Sequence, residues 1–372
     1  MRRWMLSLLL FALAFWIDTS RAAAQPKRNP PVDEWVETAD GMKLHAQFTA
    51  TTTPKKGETI ASSPVVLLLY PPGVGQDMNK GHWGDLITML NADGFHVFQF
   101  DWRGHGKSTN IVNPKEFWTS RFSGPWNQKL IKGGNKKLMK VVLTVDETDP
   151  KYFPMYVQDL AAIRVHLDQK SDKKVINTSS IYVVGAEDTV QLGFLWLTAE
   201  WNRPGIHPML PGGAMYEFVP TPTIAKKPEG GKDIAGLIWL TAKVPGKGFI
   251  TPNLLQAWVK NTPGIQESNP MLFLYGDGDS AEKTAATFYF KEILAVRAGF
   301  GAGPLQQTFI REVKGTKMRG TGLLGQNAEL KTEDTILAYL KQLEKERGPL
   351  PAKNRNFVTP YFIDLVAIGL NI

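Results

Sequence analysis

The sequence predicts an α/β protein with a mostly parallel central sheet and helices on both faces. Residues 65–70 form a continuous apolar run, as expected for a strand buried on both faces of a parallel sheet. Residues 83–92 and 156–169 place apolar side chains at helical spacing. A further apolar run at 181–184 follows the second helix, and this alternation of strands and helices is typical of strand–helix–strand units.

The outer elements each have a local signal. Residues 34–39 and 43–49 flank Asp40-Gly41, so a hairpin is predicted at the start of the sheet. The later predicted elements, in order, are a largely buried helix at 189–201, a strand at 233–241, a proline-led strand within 269–279, a last strand at 307–313 and an amphipathic helix at 332–346.

Three short motifs follow predicted strands. Residues 71–77 are Pro-Pro-Gly-Val-Gly-Gln-Asp, residues 101–108 are Asp-Trp-Arg-Gly-His-Gly-Lys-Ser, and residues 185–189 are Gly-Ala-Glu-Asp-Thr. The second motif closely resembles the Asp-x-Arg-Gly-His-Gly-x-Ser stretch of the α/β-hydrolase superfamily, and the order of elements around it is similar to the order in that superfamily. The resemblance covers roughly residues 33–345 apart from one insertion, and it implies the α/β-hydrolase fold.

The resemblance also implies where a catalytic triad would lie. Glu187 stands where the serine of the Gly-x-Ser-x-Gly elbow is expected, and Asp279 stands at the position of the acid. The histidine position after the last strand is occupied by Lys317 or Met318, and none of the six histidines lies beyond Asp279. Because the serine and the histidine are both missing, we expect at most the weak residual catalysis of an oxyanion hole.

An oxyanion hole is implied by the loop that contains Gly73 and Val74, together with Asp188 at the start of the elbow helix. The positive end of the helix dipole is itself a sufficient reason for an aspartate there. Glu187 and Asp279 could jointly bind a cation, but two ligands without a recognised binding loop do not predict a metal site. We expect neither a metal nor a cofactor.

Hydrolysis by an atypical route is the rival hypothesis. Glu187 or Asp188 would then act as a carboxylate nucleophile, since one branch of the superfamily uses aspartate at the elbow. That route needs a base, and the candidates are His82, His207 and Lys317. The bond cleaved would be an ester, an amide or a carbon–halogen bond.

An insertion runs from residue 109 to about 150, where the resemblance implies only a short connection. It mixes basic and aromatic side chains, which together can bind an anionic or carbohydrate ligand, for example at the cell envelope. The alternative is a solvated excursion whose aromatic side chains attach it to the core. The candidate ligand-binding residues are Trp118, Trp126, Lys129, Lys132, Lys136 and Lys137.

The N-terminus predicts export. Residues 1–24 combine two arginines, an apolar stretch and an alanine triplet before Gln25, as in a cleaved signal peptide. The remaining chain is expected to form one α/β-hydrolase-like domain at 25–348 without a transmembrane span, followed by a tail at 349–372. Residues 356–372 of this tail are apolar enough to pack as a strand or to dock on another molecule. Cysteine is absent, which excludes disulfides and thiol chemistry.

Together these observations favour an exported pseudohydrolase that keeps a ligand-binding crevice at the carboxyl ends of the strands. A small molecule or a cell-envelope component is the expected partner. Nucleic acid is not expected despite the net charge of +8, because no nucleic-acid-binding module is recognisable. The sequence does not determine the oligomeric state.

Overall fold

The computed structural model describes residues 29–54, 59–133, 140–206, 222–226, 229–294, 307–355 and 361–371. The predicted signal peptide therefore lies outside the described residues. The strands are β1 (Val32–Glu37), β2 (Met42–Thr49), β3 (Pro64–Leu69), β4 (His96–Phe100), β5 (Asn110–Ile111), β6 (Asn177–Ala186), β7 (Pro204–Ile206), β8 (Pro222–Lys226), β9 (Ile234–Leu240), β10 (Met271–Gly276) and β11 (Phe309–Val313).

The described strands include one nine-stranded sheet in the order β1-β2-β4-β3-β6-β9-β10-β11, with β5 paired to β2. The hairpin β1–β2 and the β2–β4 pair are antiparallel, whereas every pair from β4 to β11 is parallel. Every residue of β3, β6, β9 and β10 is buried, which explains why β3, β9, β10 and the second half of β6 are apolar runs. The predicted mostly parallel α/β sheet is confirmed.

The α-helices surround this sheet. They are α1 (Trp83–Ala92), α2 (Pro114–Thr119), α3 (Gly124–Leu130), α4 (Val157–Asp172), α5 (Thr189–Asn202), α6 (Glu229–Lys232), α7 (Pro252–Asn261), α8 (Gly264–Ser268), α9 (Ser280–Phe288), α10 (Asn327–Leu330) and α11 (Thr332–Arg347). Helix α1 packs against α11, and α5 packs against α4 and α7. Among the described residues, no helix combines the length and the apolar character needed to cross a membrane.

The C-terminal tail lies against its own domain. The side-chain amide of Gln158 donates to Ile363 O at 2.6 Å and accepts from Ile363 N at 2.9 Å. Trp258 Nε1 donates to Ile368 O at 2.7 Å, and Arg355 Nε lies 3.1 Å from Asp168 Oδ1. The described part of the tail contains no strand, and it lies over α4 and α7 of its own domain.

Parallel pairing brings several loops to one edge of the sheet. The carboxyl ends of β3, β6, β9, β10 and β11 all open there, and the side chains that follow them form the candidate site.

Candidate functional site

The elbow is a sharp turn between β6 and α5. Glu187 has a φ of 54°, the left-handed conformation that non-glycine residues rarely adopt. Gly185 makes the turn sterically feasible, because a Cβ there would lie 2.5 Å from Thr189 Oγ1 and 2.7 Å from the ring of Trp239. Position 187 therefore has a strained backbone, with a carboxylate as its side chain.

Lys243 is the partner of Glu187. Its ammonium contacts Glu187 Oε2 and lies 3.9 Å from Asp188 Oδ2. Burial alone would lower the pKa of Lys243, but the contact with Glu187 and the charges of Asp188 and Glu282 outweigh burial and raise it. A lysine held in its charged form is a poor proton acceptor, so Lys243 stabilises the Glu187 carboxylate and does not act as a base beside it.

Asp188 forms an ion pair with a different lysine. Lys247 Nζ lies 2.9 Å from Asp188 Oδ2, donates to Pro72 O at 3.3 Å, and sits 4.9 Å from the centre of the Phe153 ring. The Asp188 side chain is only 15% exposed, so its negative charge is held inside the elbow. The oxyanion hole that the resemblance implies would use the backbone N–H of Asp188, so the side chain of Asp188, paired with Lys247, is not part of it.

The expectation that Gly73 supplies an oxyanion donor is corrected by the structure. Gly73 N already donates to His105 Nε2 at 2.9 Å, and His105 Nδ1 lies 3.0 Å from Arg103 O. Burial lowers the pKa of His105, so the neutral ring donates from Nδ1 to Arg103 O and accepts at Nε2. Val74 follows with an exposed side chain, and its loop is positioned by the Arg-Gly-His-Gly turn.

Asp279 has two structural roles at the end of β10. Its Oδ1 caps α9 by accepting from Ala281 N at 3.2 Å and Glu282 N at 3.4 Å. Its Oδ2 contacts Arg319 Nε, and this hydrogen bond lowers the pKa of Asp279. Arg319, rather than Lys317 or Met318, therefore interacts with the acid.

The loop after β11 supplies backbone to the elbow. A Cβ at Gly320 would lie 2.7 Å from Glu187 Oε1, and Gly320 N donates to Thr241 Oγ1 at 2.8 Å. Lys317 is exposed and its side chain packs over Gly278, so it does not contact Glu187. Where the resemblance implies a histidine ring, the chain presents the backbone of a glycine.

No described histidine forms a hydrogen bond or ion pair with Glu187 or Asp279 in the described part of the chain. His45, His96 and His166 interact with groups on other elements, and His105 is occupied as described above. His82 is exposed at the start of α1, beside Gly325. His207 lies outside the described residues.

Glu282 is a carboxyl group that the sequence analysis missed. It is 6% exposed and its Oε2 has no hydrogen-bond partner among the described residues. Burial, together with the nearby charges of Asp279 and Glu187, raises the pKa of Glu282. The cations Lys243, Lys247 and Arg319 were missed as well. The only sequence feature that points to them is that each follows a predicted strand.

The insertion does not present its tryptophans to solvent. Trp118 is fully buried and donates from Nε1 to Lys140 O at 3.1 Å, and Trp126 is 2% exposed and packs edge-on against Phe249. Neither ring is available as a stacking face for a ligand, which corrects that expectation. Lys129 and Lys132 are exposed, and Lys132 Nζ donates to a backbone oxygen at 2.6 Å. Lys136 and Lys137 lie outside the described residues.

Comparison with known proteins extends these observations. No family model matches the sequence, and no curated protein matches it significantly. An esterase from Pyrobaculum calidifontis is similar in structure, with a TM-score of 0.50 at 12% identity over 91% of this chain and 90% of that chain. A putative α/β hydrolase of unknown function from Agrobacterium tumefaciens aligns over 87% of this chain and 100% of that chain, with a TM-score of 0.45 at 13% identity.

The similarity to the Pyrobaculum calidifontis esterase establishes the fold alone. The chain has the α/β-hydrolase fold, and the resemblance found in the sequence is confirmed at that level. At the carboxyl edge of the sheet, Glu187, Asp188 and Asp279 form ion pairs with Lys243, Lys247 and Arg319, respectively.

Proposed function

We propose that this protein is an exported α/β-hydrolase-fold protein that binds a ligand at the carboxyl edge of its sheet and does not hydrolyse it. The observation that carries the proposal is the pairing of Glu187 with Lys243, with the backbone of Gly320 beside them. Attack by a carboxylate leaves an ester intermediate that needs a base-activated water. A charged lysine and a glycine backbone supply no such base.

Exposed apolar side chains support a binding role. Val74, Val244 and Met318 follow β3, β9 and β11, and they are 75%, 51% and 40% exposed. Single exposed apolar residues are ordinary, but three on loops that border the elbow offer apolar surface to a ligand beside the ion pairs. The ligand proposed is a small molecule or cell-envelope component with an apolar part.

The two other functions have less support. Hydrolysis by Glu187 or Asp188 requires either carboxylate to lose its lysine partner before attack. Binding of polyanions through the insertion has less support because Trp118 and Trp126 are buried and offer no stacking faces to a ligand. Export depends on the N-terminal sequence pattern.

The test is turnover of p-nitrophenyl acetate, butyrate and octanoate by the protein without residues 1–24. The wild type, Glu187→Ala and Lys243→Ala are compared, with Lys317→Ala as a control for loss of an exposed lysine nearby. We expect all four proteins to hydrolyse the esters at the buffer rate. Turnover that Glu187→Ala and Lys243→Ala abolish and Lys317→Ala retains would establish an active hydrolase and reject the proposal.

A further inference from the structure

A buried arginine joins three elements of the fold. Arg103, in the Arg-Gly-His-Gly turn, contacts Asp40 in the turn between β1 and β2 and Asp159 in α4. Its Nη1 lies 2.7 Å from Asp40 Oδ2, and its Nε lies 2.7 Å from Asp159 Oδ1. All three side chains are 0% exposed. This Arg103 cluster therefore holds two carboxyl groups and one guanidinium away from water.

With both carboxyl groups ionised, the Arg103 cluster carries one negative charge in excess. In the described part of the chain, Arg103 is the only cation within ion-pair distance of Asp40 or Asp159. Tyr152 accepts from Arg103 Nη1 at 3.3 Å and Thr38 donates to Asp40, but neither hydroxyl brings a charge. A buried ion without a matching countercharge is costly, and uptake of one proton removes that cost.

A second buried cluster provides an internal comparison. Arg164 lies 2.9 Å from Asp168 and 2.7 Å from Asp233. Arg355 lies 3.1 Å from Asp168 and 2.6 Å from Asp233, and Lys353 lies 3.4 Å from Asp233. The two carboxylates of this second cluster therefore have at least as many cations beside them, and only the Arg103 cluster is short of one.

Asp159 is the carboxyl group suited to hold the proton. Burial raises the pKa of Asp159 to about 6, because the contacts with Arg103 offset burial only in part and the charge of Asp40 adds to it. The phenols of Tyr152 and Tyr156 also interact with this cluster, and burial raises the pKa of both, so they stay neutral. A proton reaches a buried carboxyl group through brief local openings of the fold.

We propose that the Arg103 cluster is a proton-binding site that stabilises the fold as the medium becomes mildly acidic. A proton on Asp159 leaves Arg103 and Asp40 as one balanced ion pair. The cluster also supports the loop after β3, since Arg103 O accepts from His105 Nδ1 and His105 Nε2 accepts from Gly73 N. The inference does not depend on the function proposed for the elbow.

The direction of the pH dependence follows from the two states of the chain. An aspartate in an unfolded chain has a pKa of about 3.9. Because the folded pKa of Asp159 is higher, the folded chain binds the additional proton, and stability rises as the pH falls. This contribution is complete below about pH 4 and is lost as the pH rises through about 6.

The experiment is urea unfolding between pH 5 and pH 8 of the wild type, Asp159→Asn, Asp40→Asn and Asp168→Asn. Asparagine at position 159 keeps an acceptor for Arg103 but cannot take up a proton. Asp40→Asn leaves one carboxylate for Arg103, so the proton is no longer needed. Asp168→Asn is the matched control, because it makes the same substitution in the second cluster. NMR of protein labelled with ¹³C at the aspartate carboxyl carbons follows the titration directly.

We expect the ratio of the unfolding equilibrium constants of wild type and Asp159→Asn to change about tenfold between pH 8 and pH 5. The ratio for Asp40→Asn should change similarly, and the ratio for Asp168→Asn by less than about twofold. One aspartate carboxyl signal of the wild type should titrate between about pH 5 and pH 7 and be absent from Asp159→Asn.

A constant ratio for Asp159→Asn over this range overturns the proposal, as does an equal change for Asp168→Asn. So does a wild type without a titrating aspartate signal, or a signal that persists in Asp159→Asn. If Asp159→Asn does not fold, the ratio for Asp40→Asn and the wild-type signal decide.

Discussion

At the scale of single residues, the elbow combines a strained backbone with an ion pair. Glu187 keeps the left-handed conformation that presents an elbow side chain, although its carboxylate contacts Lys243. Strain of this kind persists only where the surrounding structure imposes it, here through the Gly185 turn and the packing of Trp239. The conformation therefore belongs to the scaffold and does not depend on a nucleophile.

The strain at position 187 can be measured by comparing two substitutions that both remove the carboxylate. Glu187→Gly should be more stable than Glu187→Ala by about 1 kcal/mol, because glycine adopts a positive φ without steric cost. The free energy of unfolding in urea is the measurement. At the neighbouring residue the order should reverse, since Ala186 lies in β6 and Ala186→Gly should destabilise. Equal stability of the two position-187 variants would show that the turn is unstrained.

The Asp279–Arg319 pair predicts a pH dependence of stability. Because the pKa of Asp279 is lowered in the folded state, its contribution is complete above the unfolded pKa of about 3.9. It is lost as the pH falls through the lower folded value. Arg319→Gln should therefore flatten the loss of stability below about pH 4, measured as urea midpoints at a series of pH values.

Lys317→Gln controls for the change in net charge, because Lys317 lies on the same loop and is exposed. If both variants show the same acid dependence, the Arg319 contact with Asp279 does not stabilise the fold.

The elbow position could be predicted from the sequence because its motif is local and follows an apolar strand. The partners Lys243, Lys247 and Arg319 could not, since they reach the elbow from β9 and β11 only after the sheet has formed. Lys317 and Arg319 illustrate the difficulty. Two residues apart, one packs over Gly278 and the other contacts Asp279, and no sequence pattern separates them.

At the scale of elements, predictions succeeded where periodicity was strong. Helix α1 was predicted with its observed bounds. Helix α7 was missed although Thr251 caps it and Pro252 occupies its first position, both standard start signals. The short helices α2 and α3 were also missed, because six and seven residues give too little periodicity to detect.

Glycine-to-alanine substitutions in α5 and α1 should have opposite effects on stability, because Gly193 of α5 faces Trp239 of β9 and Gly84 of α1 faces open space. Gly193→Ala in α5 would place a Cβ 2.2 Å from the Trp239 ring, so it should cost about 2 kcal/mol or more. Gly84→Ala in α1 meets no atom within 4 Å and should stabilise by about 0.5 kcal/mol. Thermal or urea unfolding of both variants is the measurement. A neutral Gly193→Ala would mean that α5 can shift away from the sheet.

The tail contributes to stability as an element of the domain. Ile363 is 5% exposed, and Ile363→Ala should lower the free energy of unfolding by about 2–4 kcal/mol. Val366 is 56% exposed, so Val366→Ala should change it by less than about 0.5 kcal/mol. Urea unfolding compares the two variants. Similar effects from both would indicate that the tail is detached in solution.

At the scale of the whole molecule, the order of motifs and predicted elements along the chain made the fold predictable. The antiparallel hairpin, the Arg-Gly-His-Gly turn and the elbow occur at spacings that few folds share. The side on which the tail packs depends on charges such as Arg355 and Asp168, which are distant in sequence and meet only in the folded chain.

The proposed export can be tested on the full sequence. Expressed with its N-terminus in a bacterium that cleaves signal peptides, the protein should be recovered outside the cytoplasm with a mass that begins at Gln25. Intact-mass spectrometry of the periplasmic and cytoplasmic fractions is the measurement, and the chain starting at Gln25 is the cytoplasmic control. A full-length mass in the membrane fraction would instead show that residues 1–24 remain as an anchor.

The tail also constrains the order in which the protein can be made. Arg355 lies 2.6 Å from Asp233 and 3.1 Å from Asp168, and both carboxylates are buried beside Arg164. Until Arg355 has been synthesised, the two carboxylates share one arginine, Arg164. The last ion pairs of this buried cluster can therefore form only after nearly all of the described chain exists, although its other members precede Arg355 by more than 100 residues.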